Sequence, residues 1–260
     1  QEEMIGIAEK INQLIQAGTQ PKDIAVLYKE NKYGEEIAHF LQQKNIPLFS
    51  KRTANLFDQV LIQQIIRILD YLACEWDQPN EGANLLFEIL HFSWWKISPI
   101  TIATLTVEAN QLKYAHPENT FRKVLIDKTK EVQTALFSEG GMSEVAKAMQ
   151  VLEDLMSQVA NVTLVNLIEQ VLQKTGIIQN VLTGPNKNHE LNLVSSFFDF
   201  IKEETHRHPT LHLNSLVDML KLMRREDIRL PLPITTGSDA GVNLLTTHGS
   251  KGLEFQYVFL

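Results

Sequence analysis

Strand-like sequence is confined to the two ends of this chain, and the stretch between them carries a helical pattern. Residues 23–28 and 46–50 are short apolar runs, and residues 242–246 form a third such run near the C-terminus. Short runs of this kind with β-branched residues indicate buried strands. From about residue 58 to 230, apolar side chains recur at helical spacing instead. We therefore predict an α/β layer that is interrupted by a helical insertion.

The order of elements before residue 58 favours parallel strands, because helices expected over 3–16 and 33–44 each precede one of the short strands. In the middle of the chain we expect helices at 82–92, 99–111, 118–128, 142–159, 163–174, 188–206 and 210–225. The composition of residues 231–241, rich in Pro, Thr and Gly, indicates a linker.

The domain organisation predicted from this pattern is discontinuous. Residues 1–75 and 236–260 would share one sheet, and residues 76–235 would form an all-α insertion. Such insertions are tolerated because the entropic cost of closing a loop grows only slowly with its length. The two α/β segments could instead be separate domains.

Composition limits the class of protein. A hydrophobic content of 44% and a formal charge of −7 are those of a globular chain that does not bind nucleic acid by bulk charge, although a local basic track remains possible. The single cysteine, Cys74, cannot form an internal disulfide, and no apolar run approaches the roughly 20 residues that span a bilayer. We expect a cytoplasmic protein with no membrane partner. Because the chain starts without Met and ends inside a strand pattern, we expect it to be a piece of a longer protein.

The polar segment after the last long strand concentrates groups that bind anions and sugar hydroxyls. Thr246, His248, Ser250 and Lys251 leave the strand end in a position suited to phosphate oxygens. Gly252 permits a positive φ or close approach of a ligand, and Glu254 suits a ribose hydroxyl. The alternative is that Lys251 and Glu254 form a solvated i,i+3 ion pair beside a helical cap.

The same segment resembles motif V of the UvrD/Rep/RecB-type superfamily 1 DNA helicases, whose pattern is T-x-H-x-S-K-G-L-E-F-x-x-V-[FY]. Residues 246–259 match every defining position. Residues 23–31, followed by a helix and Ile46-Pro47, resemble the motif IV region, and residues 90–98 are weakly similar to the start of the helical insertion in RecB- and AddA-like members. The resemblance covers the α/β segments well and the helical middle loosely.

This resemblance implies a fold and roles for individual residues. Residues 1–75 and 236–260 would be part of the second RecA-like motor domain, with residues 76–235 as its insertion. Glu254, with Gly252, would contact the nucleotide, while Thr246, His248, Ser250 and Lys251 would face single-stranded DNA. Lys29 would take the catalytic place of an arginine that reaches the γ-phosphate. This is a departure, because lysine lacks the bidentate fork of arginine. Either Lys29 contacts the γ-phosphate with a smaller effect on the rate than arginine would have, or another residue supplies the arginine.

The resemblance further implies a 3′–5′ helicase or helicase–nuclease of DNA repair or recombination, using ATP and Mg²⁺. Its partners would be single-stranded DNA, single-strand/duplex junctions, the rest of the helicase chain and, for a helicase–nuclease, a nuclease subunit. The chain lacks a G-x-x-x-x-G-K-[ST] loop, a Walker-B acidic pair and a motif VI arginine. We therefore expect this chain alone to be inactive and to bind no cofactor. The rival hypothesis is a non-catalytic helical module that docks a protein partner.

Three other features of the sequence each allow two interpretations. The basic residues Lys221, Arg224, Arg225 and Arg229 suit duplex phosphates, but a solvated helix end paired with Glu226 and Asp227 is the preferred interpretation. Trp94 and Trp95 suit base stacking, but core packing is preferred. His206-Arg207-His208 lacks further ligands at metal spacing, so no metal site is predicted.

Overall fold

A single five-stranded sheet is built from both ends of the chain in the computed structural model, which describes residues 2–134 and 141–260. The strands are β1 (Ile24–Tyr28), β2 (Leu48–Asn55), β3 (Pro231–Gly237), β4 (Val242–Thr246) and β5 (Tyr257–Phe259). Their spatial order is β3-β2-β4-β1-β5. The pairs β2–β4, β4–β1 and β1–β5 are parallel, and only β3 is antiparallel to its neighbour β2. The predicted α/β class with shared parallel strands is confirmed.

Two helices cover one face of this sheet, α1 (Glu2–Gln16) and α2 (Asn31–Gln43). Every second residue of β1 and β4 points into the same apolar cluster as the inner faces of both helices, as the period of two along a strand requires. The buried members of that cluster are Ala8, Ile11, Ile24, Val26, Tyr28, Ile37, Leu41, Ile46, Leu48, Val242 and Leu244.

Contacts divide the chain into two compact units, residues 1–55 with 231–260 and residues 56–230. The second unit is helical, as its apolar spacing predicts. Its helices are α3 (Val60–Asp77), α4 (Ala83–Leu90), α5 (Pro99–Ala115), α6 (Phe121–Thr134), α7 (Met142–Gln158), α8 (Leu164–Lys174), α9 (Ile177–Thr183), α10 (Lys187–Arg207) and α11 (Leu213–Arg225). The boundaries of the motor and insertion domains, 1–75, 76–235 and 236–260, stay a prediction, whereas the compact units change at 55/56 and 230/231.

The linker predicted at 231–241 is wrong over most of its length, because Pro231–Gly237 is β3. Proline provides no backbone N–H, and it is therefore tolerated at the edge of a sheet, where one side of the strand needs no partner. β3 is that edge strand. The turn that follows requires glycine, since a Cβ on Gly237, whose φ is +90°, would lie 1.8 Å from the Leu48 carbonyl oxygen. Two further differences are that β2 is longer than the predicted 46–50 and that α9 was not predicted.

A buried carboxylate ties three helices of the second unit together. Glu75 of α3 has a side chain that is 0% exposed. Its oxygens accept hydrogen bonds from the backbone N–H groups of Asn80 and Gly82, both at 2.8 Å, and from Arg122 of α6 at 2.7 Å. Arg122 also donates to both oxygens of Glu153 on α7, at 2.8 and 2.6 Å, and these bonds raise the pKa of its guanidinium. Because the buried charge is fully paired, it specifies how α3, α6 and α7 meet.

None of the helices that the structure describes has the combination of length and hydropathy needed to traverse a lipid bilayer.

The Glu75 network predicts a large loss of stability when its central charge is removed. Glu75→Ala leaves the Nη1 group of Arg122 and two backbone N–H groups without their acceptor, so we expect the free energy of unfolding to fall by about 3 kcal/mol. Urea denaturation of the whole chain, followed by circular dichroism, measures this. Glu88→Ala is the matched control: Glu88 is half-exposed and pairs with Arg67 at 2.7 Å, and such surface pairs contribute less than about 1 kcal/mol. Equal losses in both variants would contradict the assigned role.

Candidate nucleotide and DNA site

The polar turn after β4 and the residue after β1 lie at the same edge of the sheet. Tyr28, the last residue of β1, pairs in register with Thr246, the last residue of β4. Because these strands are parallel, both carboxyl ends reach one edge, which is where open α/β sheets bind ligands. The backbone N–H of Thr247 donates to the carbonyl of Tyr28 at 3.1 Å. Lys29 and the first residue of the turn, Thr247, therefore lie side by side.

Residues 247–252 form a hydrogen-bonded turn that does not extend into a regular helix. Ser250 N–H donates to the Thr246 carbonyl at 3.0 Å, and Lys251 N–H donates to the His248 carbonyl at 3.4 Å. Gly252 ends the turn with a φ of +85°, in the left-handed region that glycine favours. The positive φ considered for Gly252 is thus observed.

The side chains of the predicted site differ in their availability. Lys29, His248, Lys251 and Glu254 are exposed, whereas Thr246 and Ser250 are half-buried. The hydroxyl of Ser250 is already engaged within the turn, because it donates to the Thr247 carbonyl at 3.0 Å. Among the residues that the structure describes, Lys251 and Glu254 form no ion pair with each other, so the solvated-pair alternative is not observed.

The segment that follows the turn returns along β1. Gln256 N–H donates to the Asp23 carbonyl at 2.9 Å, just before β1 starts. Residues 247–256 are therefore anchored at both ends of β1, first to Tyr28 and then to Asp23. Glu254 lies on this returning stretch and not in the turn itself.

Two residues that support the site were not identified from the sequence. The Asn243 amide, in β4, donates to the Lys22 carbonyl at 2.8 Å and so braces the entry into β1. Gly34 of α2 lies against the ring of Tyr28, where an added Cβ would be 2.4 Å from Tyr28 Cζ. An isolated polar residue in a buried strand was a signal for Asn243, whereas no sequence signal marks the close approach at Gly34.

A cavity of about 260 Å³ adjoins Lys29. It is lined by apolar side chains of α1, α2 and β1 together with Tyr28, Tyr33 and Leu260. Lys29 is the only one of the predicted site residues on its wall, so the described part of the chain does not bring the turn residues into this cavity.

Three of the four basic residues predicted near the end of α11 lie within ion-pair distance of acidic side chains. Lys221 lies 3.6 Å from Asp70, while Arg225 and Arg229 contact Glu226 and Asp227 at 2.9 and 3.9 Å. This pairing supports the interpretation of a solvated helix end. Trp94 packs its ring 4.9 Å from that of Phe92, and both tryptophans are half-buried, which supports core packing. Within residues 2–134 and 141–260, no cluster of three or more potential metal ligands is found.

Comparison with known proteins identifies the family of this chain. The chain belongs to the family of UvrD-like helicase C-terminal domains, which matches residues 1–260. It is a domain of the superfamily 1 type found in UvrD-, PcrA- and AddA-like helicases.

Individual relatives are distant in sequence. The chain is 23% identical over its full length to the putative ATP-dependent DNA helicase YjcD of Bacillus subtilis, covering 30% of that protein. It is 23% identical over 99% of its length to an ATP-dependent helicase/nuclease subunit of Lactococcus lactis, covering 21% of it. It is 20% identical over 98% of its length to the ATP-dependent DNA helicase PcrA of Staphylococcus epidermidis, covering 32% of it. The chain thus spans about a third or less of these relatives.

The paired basic cluster generates a prediction about pH. Burial raises the pKa of the Asp70 carboxyl above its usual value, and the charges of Lys221, Arg67 and Arg224 only partly oppose this. A carboxyl whose pKa is higher in the folded state favours folding at low pH, and this contribution is lost as pH rises through the folded pKa. Asp70→Asn should therefore gain stability relative to wild type between pH 4 and pH 7, as measured by urea denaturation.

The control for Asp70 is Asp154→Asn, which alters an exposed carboxylate that pairs with Lys174 at 2.6 Å. We expect no gain in stability with pH for this variant, because such exposed pairs contribute little. A constant difference between Asp70→Asn and wild type across the pH range would contradict the assigned pKa direction.

Proposed function

We propose that this chain is part of the second motor domain of an ATP-dependent DNA helicase that moves 3′ to 5′ along single-stranded DNA. The observation that carries the proposal is the common sheet edge: Tyr28 pairs with Thr246, so the strand of the motif IV-like segment ends beside the first residue of the motif V-like segment. A ligand that contacts both segments could move both of them when it is bound, hydrolysed or released. This is the arrangement that a motor needs to link ATP hydrolysis to a change in DNA binding.

In this proposal the exposed groups at that edge divide between two ligands. Lys251 and His248 contact the phosphates of single-stranded DNA, together with the hydroxyl of Thr246. Ser250 joins them when its hydroxyl turns from the Thr247 carbonyl, to which it donates in this structure, to a phosphate oxygen. Glu254 accepts a hydrogen bond from the ribose of ATP, and Gly252 lets the nucleotide approach the backbone. The exposure of His248, Lys251 and Glu254 supports these roles, because none of the three is consumed by an ion pair in the described structure.

Lys29 is the proposed contact to the γ-phosphate, where its positive charge would stabilise the transition state. Its exposed position immediately after β1 supports this role. The residues present fit ATP with Mg²⁺ only in part, because cationic and ribose-binding groups are available but the phosphate-cradling loop is missing from this sequence. The remaining cradle would come from the rest of a longer chain, in which residues 76–235 form the insertion of the motor domain.

The crossed effects of two substitutions in the full-length protein test this division of roles. Lys251→Ala should raise the DNA concentration that gives half-maximal ATP hydrolysis. It should also reduce the slope of log affinity against log salt concentration by about 0.7, the value for one lost single-strand phosphate contact. Glu254→Ala should instead raise the KM for ATP by roughly tenfold or more, as expected for a lost hydrogen bond to a charged group. Steady-state ATP hydrolysis with varied DNA, salt and ATP measures both. Wild-type values in both variants would contradict the proposal.

The chain by itself should hydrolyse no ATP, since the Lys and Mg²⁺ cradle for the β- and γ-phosphates is lacking in its sequence. Phosphate release from the purified chain, with and without single-stranded DNA, measures this directly. DNA-stimulated release that is lost in Lys29→Ala but kept in Lys44→Ala, an exposed lysine at the far end of α2, would overturn this expectation.

A second candidate function is a non-catalytic module in which the helical unit docks a protein. The observation in its favour is that acidic side chains outnumber basic ones within residues 56–230, which does not favour binding to phosphates. The adjoining coding sequence discriminates between the two. A phosphate-binding loop upstream and a motif VI arginine downstream support the helicase, and their absence supports the module.

A further inference from the structure

Thr246, the last residue of β4, uses both of its oxygens to hold the turn that follows. Its Oγ1 accepts a hydrogen bond from Gly249 N–H at 3.1 Å, and its carbonyl accepts one from Ser250 N–H at 3.0 Å. A side-chain bond to the third residue and a carbonyl bond to the fourth are the pattern of a helix N-cap. Thr246 therefore caps a single helical turn although no regular helix continues from it.

The other end of this turn is closed by backbone conformation. Leu253 N–H donates to the Ser250 carbonyl at 3.0 Å, and Gly252 has the left-handed φ typical of a residue that ends a helix. A Cβ on Gly252 would meet no atom within 4 Å, so conformation and not crowding accounts for the glycine. The turn that carries His248 and Lys251 is thus bounded by Thr246 and Gly252.

The cap is also tied to β1. Thr247, the residue after the cap, donates its N–H to Tyr28, and Lys29 is the residue after Tyr28. Space beside the cap is limited, because a Cβ on Gly249 would lie 3.1 Å from Thr246 Oγ1. The hydroxyl of Thr246 is therefore closely placed against the amide that it binds.

We propose that Thr246 is a positioning residue: by capping the turn it fixes the direction in which His248 and Lys251 present their side chains to DNA. This inference rests on the proposed function and extends it, since it assigns Thr246 a role that does not require contact with DNA. The two roles are compatible. A hydroxyl that accepts from Gly249 keeps its own proton, and Thr246 has no acceptor for that proton among the described residues.

The cap itself can be tested in this chain without any activity. Thr246→Val keeps the shape of the side chain and removes the acceptor, so the amide hydrogen of Gly249 should exchange with solvent roughly fivefold faster, the size typical of a lost N-cap. Thr246→Ser should restore slow exchange. Thr247→Val is the matched control, because it removes a hydroxyl at an exposed neighbouring position. Unchanged exchange at Gly249 in Thr246→Val, measured by NMR, would overturn the cap.

A third variant separates the cap from DNA contact and does not depend on Thr246→Val remaining folded. Asp is as good an N-cap as Thr but is anionic. Thr246→Asp should keep Gly249 protected in the isolated chain while it weakens the binding of an oligothymidylate by the full-length protein. Fast exchange at Gly249 in this variant would overturn the cap.

The positioning role is tested in the full-length protein by a double-mutant cycle. If Thr246 acts through Lys251, then Lys251→Ala should have much less effect on half-saturation by DNA in the Thr246→Val background than in wild type. Thr246→Ser should rescue the single variant. Additive effects of the two substitutions would overturn the positioning role even if the cap is confirmed. Absence of any DNA-stimulated ATP hydrolysis in the wild-type full-length protein would instead overturn the proposed function and leave the exchange result standing.

Discussion

The parallel pairing of β1 with β4 is the interaction on which the candidate site depends. These strands come from opposite ends of the chain, yet Val26 lies beside Leu244 and Tyr28 beside Thr246. The register is specified by burial, because a shift of one residue would turn Val26 or Leu244 away from the core beneath α1 and α2. The same register sets Lys29 next to the start of the polar turn. Apolar packing on one face thus determines which polar groups meet at the edge.

The helical unit is organised by a different kind of interaction. Its buried carboxylate, Glu75, receives hydrogen bonds from two backbone amides and a guanidinium, so the charge is satisfied without solvent. Lys221 and Arg225 of α11 are paired with the acidic side chains of Asp70 and Glu226. Charge in this unit therefore serves internal packing and surface solvation, whereas Lys29 and Lys251 of the α/β unit are exposed and follow the carboxyl ends of β1 and β4.

The spacing of apolar residues predicted secondary structure correctly where either the helical or the strand period was clear over the whole segment. The helices from 142 to 174 and the strands β1 and β4 follow directly from apolar spacing. The polar turn after β4 was also recognised, whereas the binding roles of its residues stay predictions. β3 was missed because its proline and glycine content has the composition of a loop, and the edge position that permits proline is a property of the assembled sheet. The seven-residue helix α9 is too short for a period to be recognised.

The interactions inside the site were not predictable in the same way. That Thr246 caps the turn depends on backbone angles over residues 246–250, which no spacing rule specifies. That Asn243 reaches the Lys22 carbonyl depends on which strands are neighbours. The sequence therefore supplied candidate residues for the site, but their hydrogen-bonding partners required the coordinates.

The two points at which the chain enters and leaves the helical unit are themselves hydrogen-bonded neighbours. Asn55 pairs with Pro231 at the end of the β2–β3 ladder, and Leu56 N–H donates to the Leu230 carbonyl at 2.8 Å. A tight hairpin could join Asn55 to Pro231 without disturbing a single strand, because the sheet constrains only the separation of these ends. As far as the sheet is concerned, everything between these two ends is a replaceable cassette, and the edge that carries Lys29 and Thr246 does not depend on its length.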